Sequence, residues 1–237
     1  MKITDNIYQI SGLAFGTNSN AYVIDAGEEL ILIDAGFSDY QWEVMQKSIK
    51  FWGLEKKPIT HTFITHCHFD HAGNTWLAKE AGSRIYAGDS DAQGIETGDI
   101  RTIGHMFGRE FKPCKVDHIL KDGEVFQIGN KEIRALYMPG HSVGSYMFQV
   151  DDNGRNCLFL GDFVALNPDG AEDDVIVLLS WTGGPDYDRE SYVNSLKRAV
   201  GFEPVIMLPG HWACFYGDSQ TIFKRAYQLG LELKDEG

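Results

Sequence analysis

Apolar residues recur along this chain with two periods. Residues 2–11 and 20–25 read as extended segments, and the stretch 12–19 between them has the composition of a hairpin loop with Phe15 at its tip. The unbroken run Leu30-Ile31-Leu32-Ile33 reads as a buried strand closed by Asp34-Ala35-Gly36, after which Trp42, Met45, Ile49 and Trp52 fall at helical spacing over residues 39–52. Gly53 supplies the stop. A strand over 59–65, a helix over 72–81 ended by Gly82 and a strand over 84–87 give β-α-β order. Over residues 89–113 glycines, charges and aromatics interleave with weak periodicity, so short helices or a surface insertion are expected there.

Strands resume at 116–120, 124–128, 132–138, 146–150 and 157–160, with turns supplied by Gly123, Gly129-Asn130 and residues 151–154. A polar loop over 167–174, an apolar stretch over 175–179 and the loop Trp181-Thr182-Gly183-Gly184-Pro185 follow. Asp188 has the chemistry of an N-cap for a helix reaching Val200; a strand over 204–208 and a last helix over 219–233 end the chain. No linker or low-complexity tract divides the sequence, so residues 1–237 are expected to form a single domain.

With 43% hydrophobic residues in 237, the chain can bury a substantial core, which suits a globular enzyme. The net charge of -13, with no basic stripe, opposes binding to a phosphate backbone, so nucleic acid is not an expected partner and nuclease readings are disfavoured. The N-terminal residues lack the basic start and apolar run of a secretory signal, and no stretch is long enough to span a membrane. Together these predict a cytoplasmic protein with a small-molecule substrate and no membrane partner; the oligomeric state stays open, a homo-oligomer included. Cys67, Cys114, Cys157 and Cys214 show no Cys-x-x-Cys spacing and read as small buried hydrophobes.

Chemistry concentrates in His66-Cys67-His68-Phe69-Asp70-His71, directly after a predicted strand. Imidazole nitrogen and carboxylate oxygen are the usual ligand atoms for zinc and its first-row neighbours, and a strand end is a rigid platform open to solvent. Three later sites share one grammar, an apolar strand, a glycine and a ligand-type residue: Gly140-His141, Gly161-Asp162 and Gly210-His211. The candidate set is therefore His66, His68, Asp70, His71, His141, Asp162 and His211.

These seven positions resemble the signature of the metallo-β-lactamase-fold superfamily, His-x-His-x-Asp-His followed by distant His, Asp and His at strand ends. The resemblance spans nearly the whole chain in order of elements. It implies an α/β fold, a four-layered αβ/βα sandwich with the ligands along one edge between two sheets. It also implies two divalent metal ions, zinc first and iron or manganese as alternatives: one held by His66, His68 and His141, the other by Asp70, His71 and His211, with Asp162 bridging. Paired cations of this kind share a water acidic enough to supply hydroxide near neutral pH. The reaction implied is attack on a carbonyl carbon, with Asp70 as the catalytic residue that orients the nucleophile and carries its proton toward the leaving group.

Within the superfamily, Asp162 and the missing secretory signal count against class B β-lactamases. His68 stands where flavodiiron reductases carry glutamate. Ala72-Gly73-Asn74 is similar to the glyoxalase II and lactonase branch, which implies an activated acyl substrate: thioester, lactone or ester. Persulfide dioxygenases resemble that branch and hold one iron through residues matching His66, His141 and Asp162, so an iron oxidoreductase is the alternative. A catalytically idle metal-binding protein is the third reading.

Other residues take plainer expectations. His61, His105 and His118 read as surface or satisfied core, and Cys67 should alternate away from its ligand neighbours. Asp34 needs partners at a buried strand end, and the resemblance implies that it supports the ligand loop. Trp181, Trp212, Tyr216, Phe37 and Phe15 are candidates for a pocket wall; Arg101, Arg109 and Lys112 read as solvated surface.

Overall fold

The computed structural model describes residues 1–167 and 176–234 of the chain. Its first half runs β1 (Ile7–Ser11), β2 (Ala21–Asp25), β3 (Leu30–Ile33), α1 (Asp39–Phe51), β4 (Ile59–Phe63), α2 (Phe69–Ala72), α3 (Thr75–Glu80), β5 (Arg84–Ala87), α4 (Asp89–Thr97) and β6 (His118–Ile119). The second runs β7 (Val125–Ile128), β8 (Lys131–Tyr137), β9 (Tyr146–Asp152), β10 (Arg155–Gly161), β11 (Val164–Asn167), β12 (Ile176–Leu179), α5 (Arg189–Ala199), β13 (Ile206–Pro209), β14 (Phe215–Tyr216) and α6 (Ser219–Glu232). Strands β1 to β6 form one sheet in sequence order, β14-β13-β10-β9-β8-β7 form a second, and β11 pairs with β12 in a separate hairpin.

Alternation along β3 sends Leu30 and Leu32 to one face and Ile31 and Ile33 to the other. The leucines join a core with Met45 and Ile49 of α1, Ala78 of α3 and Ile95 of α4. The isoleucines join Phe63, Phe148, Phe159 and Leu208, a core built from both sheets. On the far side of the second sheet, Leu158 and Met207 share a third core with Tyr192 and Leu196 of α5 and Phe223 and Ala226 of α6. Three cores between four layers make this an α/β fold of αβ/βα sandwich type, as expected. Caps fix the helix starts: Ser38, Asp188 and Asp218 accept backbone N–H bonds from Gln41, Ser191 and Thr221.

Three expectations change in detail. The helix read over 72–81 is broken at Gly73-Asn74, because Asn74 turns its backbone N–H to the Gly36 carbonyl at 2.8 Å and its amide to the Ser38 carbonyl at 3.0 Å. The aperiodic stretch 89–113 holds α4 and two 3-10 turns, Ile100–Thr102 and Gly104–Phe107, joined by Ile103 at a left-handed φ of 52°. Strand β11 carried no sequence expectation, and the apolar stretch 175–179 supplies its partner β12; the polar loop expected over 167–174 lies outside the described residues but for Asn167, the last residue of β11. No helix among the described residues is long and apolar enough to cross a membrane.

Candidate metal centre

Parallel strand pairs deliver the site. Strands β3 and β4 run parallel, so Asp34 and the run beginning at His66 leave the same end of the first sheet. Likewise β10 and β13 are parallel with Gly161 opposite Pro209, which brings Asp162 and His211 out side by side. Gly210 is required there: a Cβ would lie 2.2 Å from Asp162 Oδ1 and 2.7 Å from the His71 ring. At Gly140 the φ of 136° and an approach of 2.2 Å to the Tyr192 backbone make the same demand ahead of His141.

The structure brings all seven sequence candidates together. His66, His68 and His141 place ligand atoms within 4.8 Å of one another, as do Asp70, His71 and His211, and as do His66, His71 and Asp162. Asp162 sits between the groups, with Oδ1 3.1 Å from His71 Nε2 and Oδ2 3.2 Å from His211 Nε2 and 3.9 Å from both His66 Nε2 and His141 Nε2. Asp70 Oδ2 lies 3.2 Å from His211 Nε2.

Outer hydrogen bonds aim the rings. Nδ1 of His66 meets the Thr65 hydroxyl at 3.0 Å, Nδ1 of His71 meets Asp34 Oδ2 at 3.0 Å, and Nδ1 of His141 meets the Ser180 hydroxyl and the Trp181 carbonyl. Each contact leaves Nε2 facing inward. Asp34, at a left-handed φ of 60°, also accepts the Thr65 backbone N–H at 2.8 Å, so it does support the ligand loop. The His211 loop is held by Asn20, whose amide donates to the carbonyls of Pro209 and Trp212, and by the Tyr22 hydroxyl on Pro209.

Asp91 joins the two loops that carry His66, His68 and His141. Its Oδ2 accepts the Cys67 backbone N–H and the Ser142 hydroxyl, both at 2.7 Å, and its Oδ1 accepts the Gly144 N–H at 2.9 Å. Burial pushes its carboxyl up to about 6. Sequence reasoning missed this residue, since an aspartate in the first turn of α4 resembles an ordinary helix-start acid. Cys67 turns away from the ligands as expected, its thiol donating to the Arg101 carbonyl.

The donor set fits metal ions on its own evidence. Nε2 of His66, His68 and His141 is buried in each case without a hydrogen-bond partner, although an unsatisfied buried polar group costs about 1–3 kcal/mol. Burial also holds His66 and His68 well below the ordinary imidazole value and lowers His141, so all three stay neutral with lone pairs available. Burial works against charge on His71 and His211, but Asp162 and Asp70 outweigh it and lift both, His211 to about 10. Three neutral imidazoles on one side and concentrated carboxylate charge on the other make one compact nest for cations.

A cavity of about 310 Å³ opens over His68, Asp70, His141, Asp162 and His211. Its walls include Trp181 and Trp212, as expected, together with Ile103, Phe107, Leu178 and Leu179, for which the sequence held no signal. Phe37, Tyr216 and Phe15 do not line it: Phe37 packs edge-on to Phe69, Tyr216 pairs with Ile206, and Phe15 borders a groove beside Trp52. Arg101 is engaged by Asp99, Arg109 lies over the Phe37 ring and Lys112 over Trp76. His61 meets Thr60 and Glu29, His118 meets Glu124, and His105 is exposed.

Residues 14–211 match the family model described as the metallo-beta-lactamase superfamily. Among curated proteins, the chain is 26% identical over 204 residues to an atrochrysone carboxyl ACP thioesterase of Aspergillus fumigatus, covering 86% of this chain and 54% of that protein. It is 27% identical over 240 residues to the acyl-coenzyme A thioesterase MBLAC2 of Homo sapiens, covering 89% and 78%. The chain thus spans about half the length of the fungal relatives it matches. A metallo-beta-lactamase from Cronobacter sakazakii superposes with a TM-score of 0.72 at 21% identity, covering 89% of this chain and 79% of that one, a likeness of fold. With its strand-end histidines and aspartates in place and most of its length matched, the chain belongs to the metallo-β-lactamase superfamily, a fold that binds divalent metal.

Proposed function

We propose that the chain is a metal-dependent hydrolase of acyl thioesters with a two-metal site. The observation that carries this reading is the set of three inward-facing, partnerless imidazole nitrogens beside a second His/Asp group, both opening on an apolar cavity. Thioesterase names among the relatives support thioester over lactone or ester. His66, His68 and His141 would hold one ion, Asp70, His71 and His211 the other, and Asp162 would be shared. When bound, two divalent cations supply Lewis acidity toward a carbonyl oxygen and a water acidic enough to attack at neutral pH.

The chain's own groups do the rest. Asp70, whose Oδ2 meets the Asn18 amide at 3.4 Å, would accept the proton of the attacking water and return it to the departing sulfur. Phe107, Trp181 and Trp212, each about half exposed, form the rim of the cavity and offer the acyl group an apolar surface. No serine or cysteine nucleophile is called for, since Ser142 is spent on Asp91 and Cys67 is turned away from the ligands. An arrangement with one iron on His66, His141 and Asp162 would leave His68 Nε2 and the Asp70/His71/His211 group without purpose.

A panel of thioesters, lactones and aryl esters tests the reading on zinc-loaded protein. Thioester hydrolysis that disappears with chelator and returns with added divalent metal is expected. Absence of hydrolysis with oxygen uptake on glutathione persulfide would replace it by the oxygenase chemistry.

A further inference from the structure

We infer that the acyl group this site accepts is uncharged and apolar at its far end, of short to medium length, and that acyl groups ending in a carboxylate are excluded. The inference rests on the thioesterase reading and concerns which acyl groups that site selects. Above the ligands the cavity wall changes character. Ile103 and Phe107 come from one segment, Leu178 and Leu179 from β12, Trp181 from the connection after β12, and Trp212 from the loop of His211. Phe107 meets Phe69 at 5.4 Å and Trp181 at 6.0 Å between ring centroids, and Trp181 meets the His68 ring at 6.3 Å, so the aromatic wall is continuous with the ligands.

Among the described residues lining the cavity there is no lysine or arginine, and its charged groups are the ligands themselves. A carboxylate at the distal end of an acyl chain would therefore lose part of its hydration against Ile103, Phe107, Leu178 and Leu179 with no cation to meet it, an unfavourable transfer. The same walls reward methylene groups. At the usual value for apolar burial, each buried CH2 is worth roughly fourfold in affinity. A volume of about 310 Å³, at about 30 Å³ per small heavy-atom group, admits on the order of ten such groups, thioester included. Ile103 also sits at a left-handed φ of 52°, rare for a β-branched residue, in the segment that forms this wall.

The test uses acetyl, hexanoyl and adipoyl thioesters of N-acetylcysteamine, whose neutral leaving group is common to all three, on the zinc-loaded full chain. Hexanoyl should exceed acetyl in kcat/KM by at least tenfold and adipoyl by at least a hundredfold. Leu178→Arg, which places a cation in the wall, should raise adipoyl relative to hexanoyl by at least tenfold. Calorimetric binding of the hexyl and 5-carboxypentyl thioethers of N-acetylcysteamine reads the same preference without turnover. If no thioester is cleaved but the hexyl thioether binds at least tenfold tighter, the pocket assignment stands and the thioesterase reading falls. Adipoyl within threefold of hexanoyl, or equal or absent binding of the two thioethers, overturns the inference.

Discussion

At Asp91 three donors converge on one buried carboxylate: two backbone N–H groups and a hydroxyl, from the loops on either side of the His66, His68 and His141 group. Only an acceptor on both oxygens satisfies them. In Asp91→Asn one oxygen becomes an NH2 that must face either the Gly144 N–H or the Cys67 N–H and Ser142 hydroxyl, and the two loops lose their common anchor. Metal affinity should fall about 10- to 100-fold, read by competition with a chromogenic chelator. An unchanged affinity would mean that the loops hold their geometry without the tie. The ligands themselves were legible in sequence because each is a reactive residue type at the end of an apolar run. Asp91 was not, because a carboxylate's value here comes from backbone groups distant in sequence, and nothing local to α4 records them.

Tyr192 of α5 joins three elements through one hydroxyl. It donates to the Phe163 carbonyl at 2.5 Å, ahead of β11, and accepts the Ser180 N–H at 2.9 Å, after β12. Ser180 in turn meets Nδ1 of His141. Tyr192→Phe leaves a buried N–H and a buried carbonyl unpaired, which should cost about 1–3 kcal/mol and lower Tm by roughly 2–4 °C per kcal/mol for a chain of this size. A Tm within 1 °C of the parent would show that water reaches both groups. Elements of this kind mark where sequence reading stops. Strong periodicity made α1 and the strands of both sheets legible except the two-residue β14, which carried no sequence expectation, and Asp188 announced α5. The hairpin β11–β12 escaped because Val164 to Asn167 is too short to show a period, and its function as a cavity wall depends on its meeting residues far away in sequence, such as Ile103, Phe107 and Trp212. Ile103 and Phe107 escaped for a related reason: 3-10 turns linked by a strained residue leave no repeat to detect.

Across the whole molecule, the N-terminal segment is pinned to the second sheet by Asp152, which accepts from the Thr4 hydroxyl at 2.5 Å, the Asn6 amide at 2.8 Å and Lys131 at 2.5 Å. Burial opposes the Asp152 charge, but Lys131, Thr4 and Asn6 outweigh it and bring the carboxyl down to about 2. A folded value below the unfolded value of about 3.9 contributes stability that is complete above that unfolded value and is lost as pH falls through the folded one. Acid unfolding should therefore steepen between about pH 4 and pH 2. Asp152→Asn should flatten that part of the profile and, by leaving Lys131 buried and unpaired, cost about 3–5 kcal/mol at neutral pH. A denaturant series at stepped pH reads both effects, and a variant whose profile parallels the parent's would reject the assignment.

The same scale holds the claim on which the functional reading depends, that residues from positions 66 to 211 form one nest for two cations. Elemental analysis of the purified chain after metal loading and desalting tests it most directly. About two divalent ions per chain are expected, falling to about one when His66 and His68 are both replaced by alanine. A content near zero in the parent, or the same content in the double variant, would contradict it.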